Sequence, residues 1–212
     1  MRFLRLIELN MKEFIQSLSS PDPTPGGGSA SALCGALGAS LLRMVSGITL
    51  KKLDDGSLRN EFNQYIADLD SIRDEFLLLI DEDAEAFDRV MGAFKLPKET
   101  EEEKKARKEA IQRAFKGAAD VPMRTAKLAV RTSGLAVSIA ERGEKNAISD
   151  VGCAVSFLRS AFDGAIYNVN INLGAIKDDS FVKRCRAEIE ELSDDIDDKL
   201  SAAKRAVGEY LE

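Results

Sequence analysis

Position 83 holds an acid where the surrounding spacing asks for an apolar side chain. Phe62, Tyr65, Leu69, Ile72, Phe76 and Leu79 recur at three- and four-residue steps, and the stripe resumes at Ala86 and Val90. Asp83 falls between, inside Asp81-Glu82-Asp83-Ala84-Glu85-Ala86-Phe87. A carboxylate on a buried face costs several kcal/mol unless it is paired, or it takes up a proton at raised pKa. Two structural readings stand beside the chemical one: the helix reaches a wet end of its bundle, or Asp83 pairs with an arginine. The chemical reading is a general acid/base poised by desolvation. The chain has no His. That excludes Ser-His-Asp chemistry and His-ligated metal, and leaves proton transfer near neutral pH to a carboxylate, Lys, Tyr or Cys.

Three other groups carry polar chemistry. Gly26-Gly27-Gly28-Ser29 leads into a helix whose free amides and dipole suit an anion, although a tight turn for close packing explains the same residues. The Lys and spacing of a P-loop are missing, which argues against a nucleotide. Asn168 and Asn172 lie one turn apart on a face of small residues. They could read the hydrogen-bonding edge of a heteroaromatic ring or satisfy each other across a helix interface. Lys95 and Lys98 flank the Leu96-Pro97 break and could reach an anionic substrate or simply be solvated. Lys104, Lys105, Arg107 and Lys108, interleaved with Glu, read as a solvated helix face.

The elements that position these groups read as helices throughout. The chain has 212 residues, 44% apolar and 31% charged, with five prolines, a composition of one globular helical domain over 1–212. A first helix is expected from about Leu4 to Leu18, then a breaker-rich loop from Ser19 to Gly28. Ser29 is expected to cap a second helix of small residues reaching Leu50. A third runs from about Ser57 to Phe94. Thr100 and Glu103 form a capping box for a charged helix, which Pro122 should kink or restart. Ser149 is expected to cap a helix through Leu173, and Ser180 to open a last amphipathic one reaching Tyr210.

The expected fold is therefore all-α, a bundle of long amphipathic and small-residue-rich helices. The Ala and Gly content of the second and fifth helices suggests self-association, as a homodimer or higher homo-oligomer, although tight packing inside a monomer would explain it too. The net charge of −6 argues against a nucleic-acid surface. Cys34, Cys153 and Cys185 have no metal-ligand spacing and read as core residues of a reducing compartment, which points to the cytoplasm. Ser29 to Leu50 is long enough to tempt a membrane reading, but Gly, Ser and Arg43 punctuate it, and it reads as a buried helix of a soluble protein.

Four segments in order resemble one family. They are Pro25-Gly26-Gly27-Gly28-Ser29 with its Ala/Gly helix; Asp81 to Phe87 with Phe94-Lys95-Leu96-Pro97-Lys98; Gly143-Glu144-Lys145-Asn146 with Ser149-Asp150; and Tyr167-Asn168-Val169-Asn170-Ile171-Asn172-Leu173. Together they are similar to the formiminotransferase-cyclodeaminase C-terminal type, which includes stand-alone methenyltetrahydrofolate cyclohydrolases. The resemblance implies a self-associating helical subunit with a folate site near the subunit interface. It implies that Asp83 is the catalytic acid/base. Substrate contacts are expected at Gly26, Gly27, Gly28, Ser29, Lys95, Lys98, Asn146, Asn168 and Asn172. The implied reaction is cyclodeamination of 5-formiminotetrahydrofolate, with ammonia leaving to give 5,10-methenyltetrahydrofolate, or alternatively cyclohydrolysis of the methenyl ring. The implied substrate is a tetrahydrofolate derivative, with or without a polyglutamate tail, and no metal or separate cofactor is implied. A non-catalytic helical scaffold is the rival from another class, and a folate carrier without turnover a third.

Overall fold

The computed structural model describes residues 5–211. Six α-helices and two short 3-10 turns account for the elements, and no strand occurs among the described residues. The helices are α1 (Met11–Leu18), α2 (Gly27–Leu50), α3 (Gly56–Phe94), α4 (Glu101–Arg142), α5 (Ile148–Leu173) and α6 (Asp179–Leu211). The 3-10 turns are Leu6–Glu8 and Lys145–Ala147.

α2 is the central helix, packed against α3 and α5, while α4 packs on α3, α5 and α6. Its small residues make this possible. A Cβ on Gly35 would stand 2.3 Å from the ring of Phe76 on α3, and one on Gly38 would stand 3.1 Å from Leu158 on α5. From the other side, a Cβ on Gly164 of α5 would meet the Ser31 hydroxyl at 2.3 Å. The Gly and Ala of α2 and α5 thus serve packing within one chain, so they are no argument for a subunit interface. By length and composition α2 could cross a membrane, yet its face from Gly28 to Thr49 is buried by neighbouring helices. Its hydroxyls are satisfied locally: Ser31, Ser40, Ser46 and Thr49 each donate to the carbonyl four residues back.

Several boundaries differ from expectation. Leu4 lies outside the described residues. The first element is a 3-10 turn, and α1 starts at Met11 because Asn10 and Glu13 form a capping box. Only Phe14 is buried in α1, and Met11 is 77% exposed. Gly26, not Ser29, precedes α2, which leaves Ser29 in its first turn. α5 starts at Ile148 after the 3-10 turn, without a Ser149 cap. α6 starts at Asp179, and the Asp178 carboxylate accepts from the Phe181 N–H. Cys34 and Cys185 are only half-buried and Cys153 is exposed, so none is a sealed core residue.

The largest departure is α4, one continuous helix with Pro122 inside it. Proline has no N–H and strips the carbonyl four residues earlier, here Ala118, of its helical partner. The Asn172 amide of α5 donates to that carbonyl at 3.0 Å. With the orphaned acceptor satisfied from a neighbouring helix, α4 continues through Pro122 and the restart expected there does not occur.

The glycines make a contrast that is measurable by thermal unfolding. Gly117, inside α4, has nothing within 4 Å of an added Cβ, so Gly117→Ala stabilises by about 0.5–1 kcal/mol. Gly35→Ala must displace a fully buried Phe76 and destabilises by roughly 1–3 kcal/mol. Equal effects of the two changes would contradict the packing described.

Candidate active site

Three adjacent carboxylates on α3 have three different fates. Asp81, 9% exposed, accepts from Arg5 Nε at 2.9 Å and the Leu6 N–H at 2.7 Å, tying the N-terminal segment down. Glu82 pairs with Arg124 of α4 at 2.5 Å. Asp83 pairs with no Arg or Lys among the described residues; its side-chain hydrogen bonds are with Ser29 alone. The Ser29 N–H donates to Asp83 Oδ2 at 2.9 Å. The Ser29 hydroxyl lies 3.1 Å from the same oxygen and 2.9 Å from the Ile80 carbonyl, and its single proton serves one or the other.

The anion expected at the start of α2 is therefore the chain's own carboxylate. Asp83 Oδ2 sits on the first-turn amides, at the positive end of the helix dipole. Gly28 permits this approach, because a Cβ there would stand 2.1 Å from Asp83 Oδ1. Burial pushes the carboxyl above its ordinary value, and the two hydrogen bonds from Ser29 offset part of that rise. Of the structural readings, the arginine pair is not what the described residues show. Asp83 Oδ1 accepts no hydrogen bond, yet no buried polar side-chain atom lacks a partner among the described residues. Oδ1 therefore keeps some contact with solvent.

That solvent is a cleft of about 410 Å³ between the Thr24–Gly27 segment, α3, α4 and α5. Asp83, Asn168 and Asn172 supply its polar groups together with Thr24, while Phe87, Val90, Met91, Phe94, Phe115 and Ile171 make an apolar wall. The rings of Phe94 and Phe115 meet edge to face at 6.1 Å. An oxygen with a raised pKa at the end of an apolar slot can take and return a proton to a bound flat ring.

The cleft brings together Asp83, Gly26, Gly27, Asn168 and Asn172 of the expected site residues. Gly28 and Ser29 stand behind Asp83, and Ser29 is fully buried, so its contact is with the carboxylate and not with a ligand. Lys95 and Lys98 are exposed past the end of α3 and do not line the cleft, although Phe94 does. Asn146 is exposed in the turn before α5. Its neighbour Glu144 donates its N–H to Thr49 at the far end of α2, roughly 30 Å along that helix from Gly27. Asn146 is not part of this cleft, because the reversal after α4 carries it to the other end of the bundle.

The apolar wall was missed in the sequence. Its signal was present: Phe87, Met91 and Phe94 follow Asp83 at helical steps on one face. Arg107, read there as solvated, instead packs on the Phe94 ring at 5.7 Å and donates twice to its carbonyl. A groove of about 480 Å³ between α4 and α6 is larger. Its Lys127 and Glu188 neutralise each other, and burial pushes the Cys185 thiol up, away from a reactive thiolate.

The Ser29 hydroxyl offers a test of how the carboxyl is tuned. Ser29→Ala removes a donor that favours the charged form, so the Asp83 pKa rises further. The acidic limb of the kcat/KM profile then moves to higher pH, since that limb reports loss of the deprotonated base. A limb that stays in place would mean that Asp83 is not the titrating base.

Comparison with known proteins extends this picture. A family model described as formiminotransferase-cyclodeaminase matches residues 10–191. A methenyltetrahydrofolate cyclohydrolase of Methylorubrum extorquens is 38% identical over 182 residues, covering 86% of this chain and 88% of that protein. The formimidoyltransferase-cyclodeaminase of Rattus norvegicus is 32% identical over 187 residues, 88% of this chain but 35% of that protein. The chain thus spans about a third of that bifunctional relative. The crystal structure of a formiminotetrahydrofolate cyclodeaminase from Thermotoga maritima matches with a TM-score of 0.87 at 30% identity, covering 96% of this chain and 98% of that one.

Proposed function

The chain belongs to the formiminotransferase-cyclodeaminase family, and on that premise we propose that it is a formiminotetrahydrofolate cyclodeaminase with Asp83 as its acid/base. The observation that carries the proposal is that Asp83 lines the cleft with its Oδ1 free of hydrogen bonds, on a carboxyl raised by burial. N10 of the substrate attacks the formimino carbon carried on N5 and a tetrahedral centre forms. Asp83 takes the N10 proton and passes it to the departing nitrogen, which takes a second proton from solvent and leaves as ammonia. The product is 5,10-methenyltetrahydrofolate. Such a group contributes roughly 10²–10⁴-fold. Holding N5, the carbon and N10 in reacting geometry supplies much of the rest, and the slot between Phe87, Phe94 and Ile171 suits the flat ring that must be held. The chemistry needs no metal and no cofactor beyond the folate.

Ring hydrolysis of 5,10-methenyltetrahydrofolate is the second reading, favoured by the 38% identity to a cyclohydrolase. Water then takes the place of N10 as the attacking group, with Asp83 accepting its proton. Incubation with 5-formiminotetrahydrofolate and, separately, with 5,10-methenyltetrahydrofolate distinguishes the two. Ammonia release equal to the rise in methenyl absorbance is the expected result. Loss of methenyl absorbance without any action on the formimino compound selects the hydrolase, and inactivity on both sinks the folate reading. The exposed Lys95 and Lys98 are the cations nearest the Phe94 end of the slot in sequence and suit a glutamate tail. Exposed Tyr167 and Ile171 beside the cleft, 73% and 76% accessible, support self-association there, which sedimentation at micromolar concentration tests.

A further inference from the structure

Pro122 and Asn172 are coupled in a way that bears on what the cleft recognises. Pro122 leaves the Ala118 carbonyl without a helical donor. The Asn172 amide nitrogen fills that place at 3.0 Å and donates its second hydrogen to the Asn168 carbonyl at 2.8 Å. Both partners are carbonyl oxygens, which only accept, so the orientation of the amide is fixed by chemistry. With both hydrogens spent, Asn172 has only Oδ1 left to offer. That oxygen accepts from nothing among the described residues, and it is not sealed, because no buried polar atom lacks a partner. One turn earlier, Asn168 spends an amide hydrogen on the Gly164 carbonyl at 2.8 Å, and its Oδ1 is likewise unpartnered. Both residues line the same cleft as Asp83.

We propose that Pro122 is a positioning residue that turns Asn172 Oδ1 toward the cleft, where it accepts a hydrogen bond from the amino group on the ligand's pyrimidine ring. On the α5 wall Asn172 presents only an acceptor, so it selects a donor on the ligand edge that faces it. A tetrahydropterin has such an edge in its 2-amino group and N3–H. This inference rests on the folate reading above and deepens it by assigning which edge of the ring faces α5. The recognition is separate from the proton transfer at Asp83.

Calorimetric titration with 5-formyltetrahydrofolate and its 2-desamino-2-methyl analogue tests the proposal. Wild type is expected to bind the 2-amino ligand about tenfold tighter or better, the effect of one lost hydrogen bond that leaves its acceptor unpaired. Pro122→Ala restores a helical donor to Ala118, so its thermal midpoint stays at or above that of wild type. Its released Asn172 amide cuts the preference at least threefold. Asn172→Leu alone unfolds at lower temperature, because Ala118 is orphaned. Asn172→Leu in the Pro122→Ala background recovers that stability but shows no preference between the ligands. A merely structural Asn172 would give the same recovery with the preference intact, and that result overturns the proposal. Equal binding of the two ligands by wild type overturns it as well while sparing the folate reading. Failure of wild type to bind either ligand overturns the folate reading itself, and the proposal with it.

Discussion

Asp83→Asn is expected to lose on the order of 10²-fold or more in kcat while folding at least as stably as wild type. The asparagine keeps the volume and still accepts from Ser29, but it cannot carry the exchanging proton. The stability half of the expectation follows from linkage. The folded carboxyl is raised above its ordinary value, so the folded state holds the proton more tightly than the unfolded chain. In the window between the unfolded and folded pKa the unfolded state binds fewer protons, and stability falls as pH rises. Above the folded pKa the full cost of burying the charge remains. Asp83→Asn removes that cost, so its advantage over wild type grows with pH through the window and is then constant. If Asp83 were a structural acceptor needed for the α2–α3 junction, unfolding at neutral pH would instead come earlier in the variant, with turnover per folded molecule nearly intact.

Gly28→Ala is the second large effect. The added Cβ would stand 2.1 Å from Asp83 Oδ1 and 2.5 Å from its carboxyl carbon. Ordinary contacts begin well beyond that, so the carboxylate must leave its place on the Ser29 N–H. Displacement of a catalytic group by about 1 Å costs on the order of 10²-fold in rate, and Gly28→Ala is expected to lose at least that much. Alanine is otherwise favoured over glycine in the first turn of a helix, which offsets part of the strain. The expected pattern is therefore low kcat with stability within about 1–3 kcal/mol of wild type. Gly117→Ala, also in a helix but with open space around it, is the control that should leave kcat unchanged. Normal turnover in Gly28→Ala would show that Asp83 need not sit against α2.

Much of this was legible along the chain, for identifiable reasons. The interrupted stripe of α3 located Asp83, because a period of three and four states which positions must be buried before any neighbour is known. The capping box at Thr100 and Glu103 located the start of α4, being local chemistry. What failed depended on neighbours distant in sequence. Pro122 reads as a break until Asn172, 50 positions later, is seen to satisfy the Ala118 carbonyl. Ser29 reads as a cap or an anion contact until α3 brings Asp83 onto its N–H. Asn146 joined the expected site through its motif, and only the path of the chain shows it at the other end of α2. The small residues of α2 and α5 suggested a second subunit. Gly35 against Phe76 and Gly38 against Leu158 show that close packing within the chain already accounts for these residues.

The most direct measurement of the central assignment is a single turnover of 5-formiminotetrahydrofolate with enzyme in excess, followed by methenyl absorbance, on wild type and Asp83→Asn. Substrate binding and product release drop out, and only the step that moves the proton is read. Expected is equal binding of substrate by both proteins, with the absorbance rise slowed on the order of 10²-fold or more in the variant. A rise in Asp83→Asn within about threefold of wild type would contradict proton transfer by this carboxylate, since an acid/base that contributes roughly 10²–10⁴-fold leaves no room for so small a loss.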